Sequence, residues 1–293
     1  MTPRHLSDAA EALGPLLAPL DPHELPALVR NRVPKLVRGA GSRDLPGWAG
    51  LRQALADGTI PRRYFRLMRD NAKVSEMFFS SPEALRMERI DQLLGGGCSL
   101  LLDRLDRSME PLRLLTDGIR AWLGEYVTAI AVVTTGARGA FDLHYDEEDI
   151  LVLQVEGTKS WQLFAPTLRN VLKQGPAAPM PQGTPLLEVD LHPGDMLFVP
   201  AGYWHQCTNR AERSVHYSAM IMPLSVNHVL KALHERLLAD EEWRRPLGRS
   251  GGDSADEAAL KAHLGDLVES LSLAELRRAR LVRGRAPDGG AAD

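Results

Sequence analysis

Cysteine is nearly missing from this chain: Cys98 and Cys207 are the only two in 293 residues. Two thiols cannot build a disulfide framework, which excludes the small secreted scaffolds and fits a reducing cytoplasm. Long apolar runs are lacking as well, and no stretch reaches the roughly 18 residues that a membrane span needs. Residues 1–20 are interrupted by Asp8, Glu11 and Pro15, lack the basic-then-apolar order of a secretory signal, and read as an amphipathic opening helix. Nor is there an excess of one charge. The formal net charge is −3, so the general attraction of a nucleic-acid binder is absent and no direct nucleic-acid partner is expected. Arg62, Arg63, Arg66 and Arg69 flank Tyr64 and Phe65, a short basic patch that reads as a solvated strand face.

What the chain does have is a small set of metal-ligand residue types at a telling spacing. His144-Tyr145-Asp146 is followed 59 residues later by His205, which lies in Pro193-Gly194-Asp195-Met196-Leu197-Phe198-Val199-Pro200-Ala201-Gly202-Tyr203-Trp204-His205. On a strand, residues i and i+2 share a side, so His144 and Asp146 can reach one metal while Tyr145 points away. Two imidazoles and a carboxylate occupy one face of an octahedral ion and leave the other face open, the donor set of non-haem Fe(II) oxygenases. Short apolar runs separated by turn residues lie between the two motifs, as expected of a barrel or sandwich. Tyr203 and Trp204 either wall the mouth of that barrel or pack as ordinary barrel residues. His216, on the closing strand at 214–221, would give a three-His cupin site if it faced the metal. Cys207, two residues after His205, is either a thiolate ligand or a small buried apolar residue.

The stretch from His144 to Trp161, H-Y-D-E-E-D-I-L-V-L-Q-V-E-G-T-K-S-W, resembles the core of JmjC-type cupin oxygenases, and within them the ribosomal-oxygenase branch. That pattern runs H-x-D-x-x-D, an apolar run, then Q-x-x-G-x-K/R-x-W. The P-G-D…P-x-G-x-x-H-Q stretch ending at Gln206 is similar too, and weaker similarity extends back to Pro34-Lys35-Leu36-Val37-Arg38-Gly39. The resemblance implies a double-stranded β-helix that uses Fe(II), 2-oxoglutarate and O2. It also implies that a basic residue thirteen positions after the ligating Asp, here Lys159, holds the far carboxylate of 2-oxoglutarate. The residues agree with this, because Lys159 shares a strand face with Trp161 and Leu163, and an inward ammonium is costly unless it meets an anion. Snorkelling to solvent is the competing reading.

In one respect the chain departs from the pattern. Several relatives carry Asn-x-Tyr on the strand before H-x-D, where this chain has Ile130, Ala131 and Val132. Thr128, Thr134, Tyr217 and Ser218 are the candidates for the remaining co-substrate contacts, with no basis for choosing among them. The resemblance points to hydroxylation of an unactivated C–H bond on a protein, ribosomal-protein-like, or peptide side chain. A small-molecule hydroxylase of the same chemistry, a metal-binding cupin without turnover, and a metal-dependent isomerase are the other readings.

The expected architecture is mainly β with flanking helices: a cupin or jelly-roll barrel plus a C-terminal helical segment. Residues 1–125 are expected to form a mixed α/β extension packing on the barrel, 126–223 the double-stranded β-helix core, and 224–293 helices that pair two copies of the chain or cap the barrel. Helices are predicted at 25–33, 48–56 and 112–123, and strands at 35–38, 64–68, 99–102 and 127–133. Gly95-Gly96-Gly97 reads as a turn, because no Lys-Ser/Thr follows to make a phosphate loop. Capping boxes are predicted at Ser80/Glu83, Ser254/Glu257 and Ser272/Glu275.

Overall fold

The computed structural model describes residues 13–15, 17–39, 45–69, 72–74, 87–137, 140–244, 246 and 253–285. The chain divides into two compact units, Met1–Met222 and Pro223–Asp293.

The first unit is built on two antiparallel sheets. In chain order its strands are β1 (Lys35–Val37), β2 (Phe65–Arg69), β3 (Ala72–Lys73), β4 (Ser99–Leu102), β5 (Tyr126–Thr135), β6 (Asp149–Glu156), β7 (Lys159–Phe164), β8 (Leu187–Leu191), β9 (Met196–Val199), β10 (Trp204–Asn209) and β11 (Arg213–Met222). The larger sheet has the order β1-β9-β6-β11-β5-β4-β2-β3, the smaller β10-β7-β8. An isolated bridge between His144 and His205 adds the His144 segment to the smaller sheet beside β10. Two facing sheets connected in this order form the double-stranded β-helix. The segment before β5 is woven into this framework, since β1 pairs with β9 and β4 with β5.

Strand alternation sorts the core into two layers. On β11, Val215, Tyr217, Ala219 and Ile221 turn to the outer face of the larger sheet, as do Val127, Ala129, Ala131 and Val133 of β5. There they meet helices α1 (Leu25–Asn31), α2 (Trp48–Ala56), α3 (Met87–Gly95) and α4 (Glu110–Leu123) through Leu25, Leu51, Ile90, Leu112 and Ile119. Gly124 closes α4 at φ 66°, the left-handed position glycine takes without steric penalty. The opposite face holds Ile150, Val152, Trp161, Leu163, Val189, Leu191, Leu197 and Val199 between the sheets. Each fully buried large apolar side chain contributes about 1.5–3 kcal/mol. The interior pocket opens at one end of this inner layer.

Two turns hold the ligand strands in register. Gly157, at φ 67°, joins β6 to β7, and a Cβ there would lie 2.0 Å from the Arg213 carbonyl oxygen. Asp195 organises the P-G-D turn by accepting from the His192 amide (2.9 Å), the Gly39 amide (3.2 Å) and the Arg38 guanidinium.

The second unit contains α5 (Val226–Ala239), α6 (Asp253–Glu269) and α7 (Leu273–Arg285). Ser225 and His228 cap α5 reciprocally, a pairing the sequence reading did not assign. The predicted Ser272/Glu275 cap is present on one side, with the Glu275 amide donating to Ser272 Oγ at 3.3 Å. α6 begins at Asp253, ahead of the Ser254 expected as its cap. The Ser80/Glu83 box lies outside the described residues. Among the described residues no helix is long and apolar enough to cross a membrane.

Candidate metal centre

Four hydrogen bonds lock the two ligand segments together. The His144 amide donates to His205 O (3.1 Å) and the His205 amide to His144 O (2.7 Å). The Gly202 amide donates to Asp146 O at 2.8 Å, and the Ala201 amide to Asp149 Oδ1 at 2.7 Å. Asp149 is the last residue of the H-x-D-x-x-D string, and the sequence reading left it without a role. Buried at the start of β6, it ties the turn before His205 to the segment carrying the other two ligands. Burial holds its carboxyl above the ordinary value, opposed by the Ala201 amide and then by Arg32.

His144, Asp146 and His205 bring one ligand atom each to within 4.8 Å of one another. The rings of His144 and His205 have centroids 4.3 Å apart, and His205 Nε2 is 3.6 Å from Asp146 Oδ2. Both imidazoles are oriented by backbone carbonyls. His144 Nδ1 lies 2.8 Å from Asp142 O, and His205 Nδ1 lies 3.1 Å from Tyr203 O. A carbonyl oxygen only accepts, so each Nδ1 carries the proton and each Nε2 presents its lone pair. Burial, then His144, push His205 below its ordinary pKa against the pull of Asp146, which keeps the ring neutral and able to ligate. The donor set of two neutral imidazoles and one carboxylate fits Fe(II).

Tyr145 turns away, as expected, and stacks edge-on against Trp204 at 4.8 Å. Trp204 and Tyr203 belong to the surrounding packing rather than to the mouth: Trp204 Nε1 donates to Thr167 Oγ1 (2.9 Å) and Tyr203 OH to Arg32 O (3.1 Å).

A pocket open to solvent lies over the three ligands. Its walls come from β5 (Ile130, Val132), β7 (Lys159, Trp161), β10 (Cys207) and β11 (His216, Ser218, Met220), with Ala140, Phe141 and Ile150 completing it. Lys159 is 1% exposed, so it does not snorkel to solvent. Its ammonium donates to Thr134 Oγ1 at 3.0 Å, and among the described residues no carboxylate pairs with it. Burial lowers its pKa from the ordinary 10.5. Burial likewise pushes the Cys207 thiol up to about 12, and Cys207 lines the pocket outside the convergent ligand group. His216 faces the pocket without joining the convergent ligand group, so the arrangement is not a three-His site.

The four candidates for further co-substrate contacts separate. Ser218 lines the pocket, and Thr134 touches Lys159. Tyr217 lies elsewhere. Its neighbour His216 faces inward, so strand parity sends Tyr217 into the outer core, where its hydroxyl donates to Pro46 O at 2.6 Å. Thr128 is also withdrawn from the pocket, because its hydroxyl is spent on buried Asp106 Oδ1 at 2.7 Å, next to the Asp106–Arg120 pair. Trp161 was not among the predicted site residues. Its alternation with Lys159 was the signal, and its ring stacks at 5.7 Å on His205.

Residues 109–229 match the JmjC domain family model. This segment is similar to a JmjC domain. It contains all three ligands, Lys159 and every strand of the two sheets from β5 to β11. Among curated proteins, the chain is 32% identical over 122 residues to the bifunctional lysine-specific demethylase and histidyl-hydroxylase NO66 of Drosophila persimilis, covering 41% of this chain and 18% of that protein. It is 34% identical over 114 residues to ribosomal oxygenase 1 of Gallus gallus, covering 38% and 19%. The chain therefore aligns with less than a quarter of the length of these relatives, around the JmjC domain. Among solved structures it resembles the Escherichia coli ribosomal oxygenase YcfD, with a TM-score of 0.59 and 15% identity over 87% of this chain and 68% of that one. A further YcfD structure, in complex with cobalt and 2-oxoglutarate, aligns with a TM-score of 0.57 and 14% identity over 84% of this chain and 67% of that one. The fold is thus shared with YcfD.

Proposed function

We propose that this chain is a 2-oxoglutarate-dependent Fe(II) oxygenase that hydroxylates an unactivated C–H bond on a protein or peptide side chain. The observation that carries this reading is one pocket holding both the His144–Asp146–His205 ligand set and a buried Lys159 that pairs with no carboxylate among the described residues. A metal-binding scaffold or an isomerase has no use for the second feature. The curated relatives named above include a histidyl-hydroxylase and a ribosomal oxygenase, which supports a protein substrate.

Bound iron supplies the oxidising chemistry, in which O2, 2-oxoglutarate and a C–H group are converted to succinate, CO2 and an alcohol. The protein's own residues do the rest. His144, Asp146 and His205 hold the metal from one side, with each imidazole fixed by a backbone carbonyl. Lys159, held by Thr134, lines the pocket, and its ammonium receives the distal carboxylate. Ile130, Val132, Ile150 and Met220 exclude water around the reacting centre, and the opening admits the substrate side chain. For assembly we propose a homodimer through the helices of the second unit, which expose Val226, Leu230, Leu238, Val268 and Val282. Light scattering that gives a monomer at micromolar concentration refutes it. The free thiols Cys98 and Cys207 support a cytoplasmic location.

The test begins with Fe(II) and 2-oxoglutarate added without oxygen, a visible charge-transfer band being expected. Air is then admitted and succinate assayed, with mass spectrometry of lysate proteins for an added oxygen atom. A protein that gives neither band nor succinate is a binder, and an oxygen atom found only on metabolites moves the substrate class to small molecules.

A further inference from the structure

The proposed chemistry leaves one group in the pocket unused. His216 is 5% exposed, lines the pocket from β11, and its Nδ1 is buried with no hydrogen-bond partner among the described residues. A buried polar atom left in that state destabilises the fold, so an orphaned imidazole facing a cavity is expected to meet a ligand there. Its ring stands edge-on to Trp161 at 5.8 Å, and Trp161 stacks on His205 on its other side. The Trp161 Nε1 is likewise buried without a partner, so this wall carries more donor capacity than the protein itself uses. His216 does not belong to the convergent metal-ligand group. A second reaction partner has to account for it.

His216 pairs directly with Val132 and Ser218 with Ile130. These are the β5 positions where the chain carries apolar residues instead of an Asn-x-Tyr pair. Both polar wall residues of β11 therefore stand beside apolar wall residues of β5. Burial, then Lys159 and His205, hold His216 neutral, so the ring has one N–H to give. A carboxylate offers about four acceptor sites, and a lysine with one donor already on Thr134 satisfies only part of them.

We propose that His216 is a second binding residue for the distal carboxylate of the 2-oxo acid, its ring N–H donating alongside the Lys159 ammonium and taking the place of the polar residues missing from β5. This rests on the oxygenase reading above and deepens it. Recognition of the co-substrate then depends on two strands, β7 and β11, rather than on Lys159 alone.

The experiment is an anaerobic titration of the Fe(II)-loaded full chain with 2-oxoglutarate, followed by the visible charge-transfer band. A parallel titration uses 2-oxobutanoate, which lacks the distal carboxylate. Fe(II) affinity without co-substrate and the melting temperature are measured for each variant. His216→Leu should raise the half-saturating 2-oxoglutarate concentration about tenfold to a hundredfold, the range for one hydrogen bond to a charged group. It should leave 2-oxobutanoate binding, iron affinity and melting temperature unchanged or improved. His216→Asn, which keeps an N–H donor, should recover most of the loss. Unchanged 2-oxoglutarate binding in His216→Leu overturns the proposal, as does equal weakening toward both acids. Loss of iron affinity would make His216 a metal ligand and overturns it too, and so does an Asn variant no better than Leu. A wild-type protein with no band refutes the oxygenase reading itself, before any variant is compared.

Discussion

Lys159→Met separates binding from stability in one substitution. The ammonium is 1% exposed, donates to Thr134 and meets no carboxylate among the described residues, so in the protein alone it is a desolvated charge with incomplete compensation. Replacing it by a thioether of similar volume should stabilise the chain without co-substrate by about 1–4 kcal/mol, the range seen when buried ionic groups give way to apolar ones. At about 2–4 °C per kcal/mol for a unit of this size, the melting temperature rises by several degrees. The same change removes the partner of the distal carboxylate. Leaving that anion buried without its ammonium costs about 3–5 kcal/mol, which is about a hundredfold to several thousandfold in 2-oxoglutarate affinity. The pH dependence has a definite sign. Burial lowers the folded pKa below 10.5, so the unfolded chain holds the proton more tightly and the stability deficit of Lys159 is fully present at low pH. It fades as pH rises from the folded value toward 10.5, and the gap in melting temperature between wild type and Lys159→Met narrows with it. Scanning fluorimetry across pH, with and without 2-oxoglutarate, reads both effects. A variant that melts lower at every pH and binds 2-oxoglutarate as well as wild type would refute the reasoning.

Three other outcomes follow from the same geometry. His144→Ala and Asp146→Ala should each abolish succinate formation while circular dichroism stays unchanged, and turnover retained in either would remove that residue from the ligand set. Asp149→Ala strips the Ala201 amide of its acceptor and should cost about 1–3 kcal/mol in denaturant unfolding, together with weaker iron binding through the loosened His205 turn. Equal iron affinity would show that the turn holds without it. Gly157→Ala forces a side chain into a left-handed turn with its Cβ against Arg213 O, so a loss of about 2 kcal/mol or more is expected in the same assay.

How much of this was legible in the residues depends on whether a feature is local. The three ligands follow from strand parity within H-x-D and from a His after a P-G-D turn, and Lys159 from its alternation with Trp161 and Leu163. Before the barrel, α1, α2 and α4 and strands β1, β2 and β4 lie close to where their residues place them, whereas the two-residue β3 carries no pattern of its own. The sequence pattern did not show which face of β11 points inward, because Val215 to Ile221 alternates too weakly to separate a core from a pocket. That is why Tyr217 was grouped with Ser218. Thr128 and Thr134 occupy the same face of one strand, and only tertiary partners distinguish them: Asp106 takes the first and Lys159 the second. Asp149 stood within the motif, yet its partner Ala201 is distant in sequence and belongs to a turn that exists only in the folded chain.

The most direct test of the account is a crystal structure of the protein grown without oxygen and soaked with Mn(II) and 2-oxoglutarate. The prediction is one ion held by His144 Nε2, His205 Nε2 and the Asp146 carboxylate, with the 2-oxo acid completing part of its free side and its far carboxylate at Lys159. An ion bound elsewhere, or those three side chains empty beside a well-ordered 2-oxo acid, would contradict it.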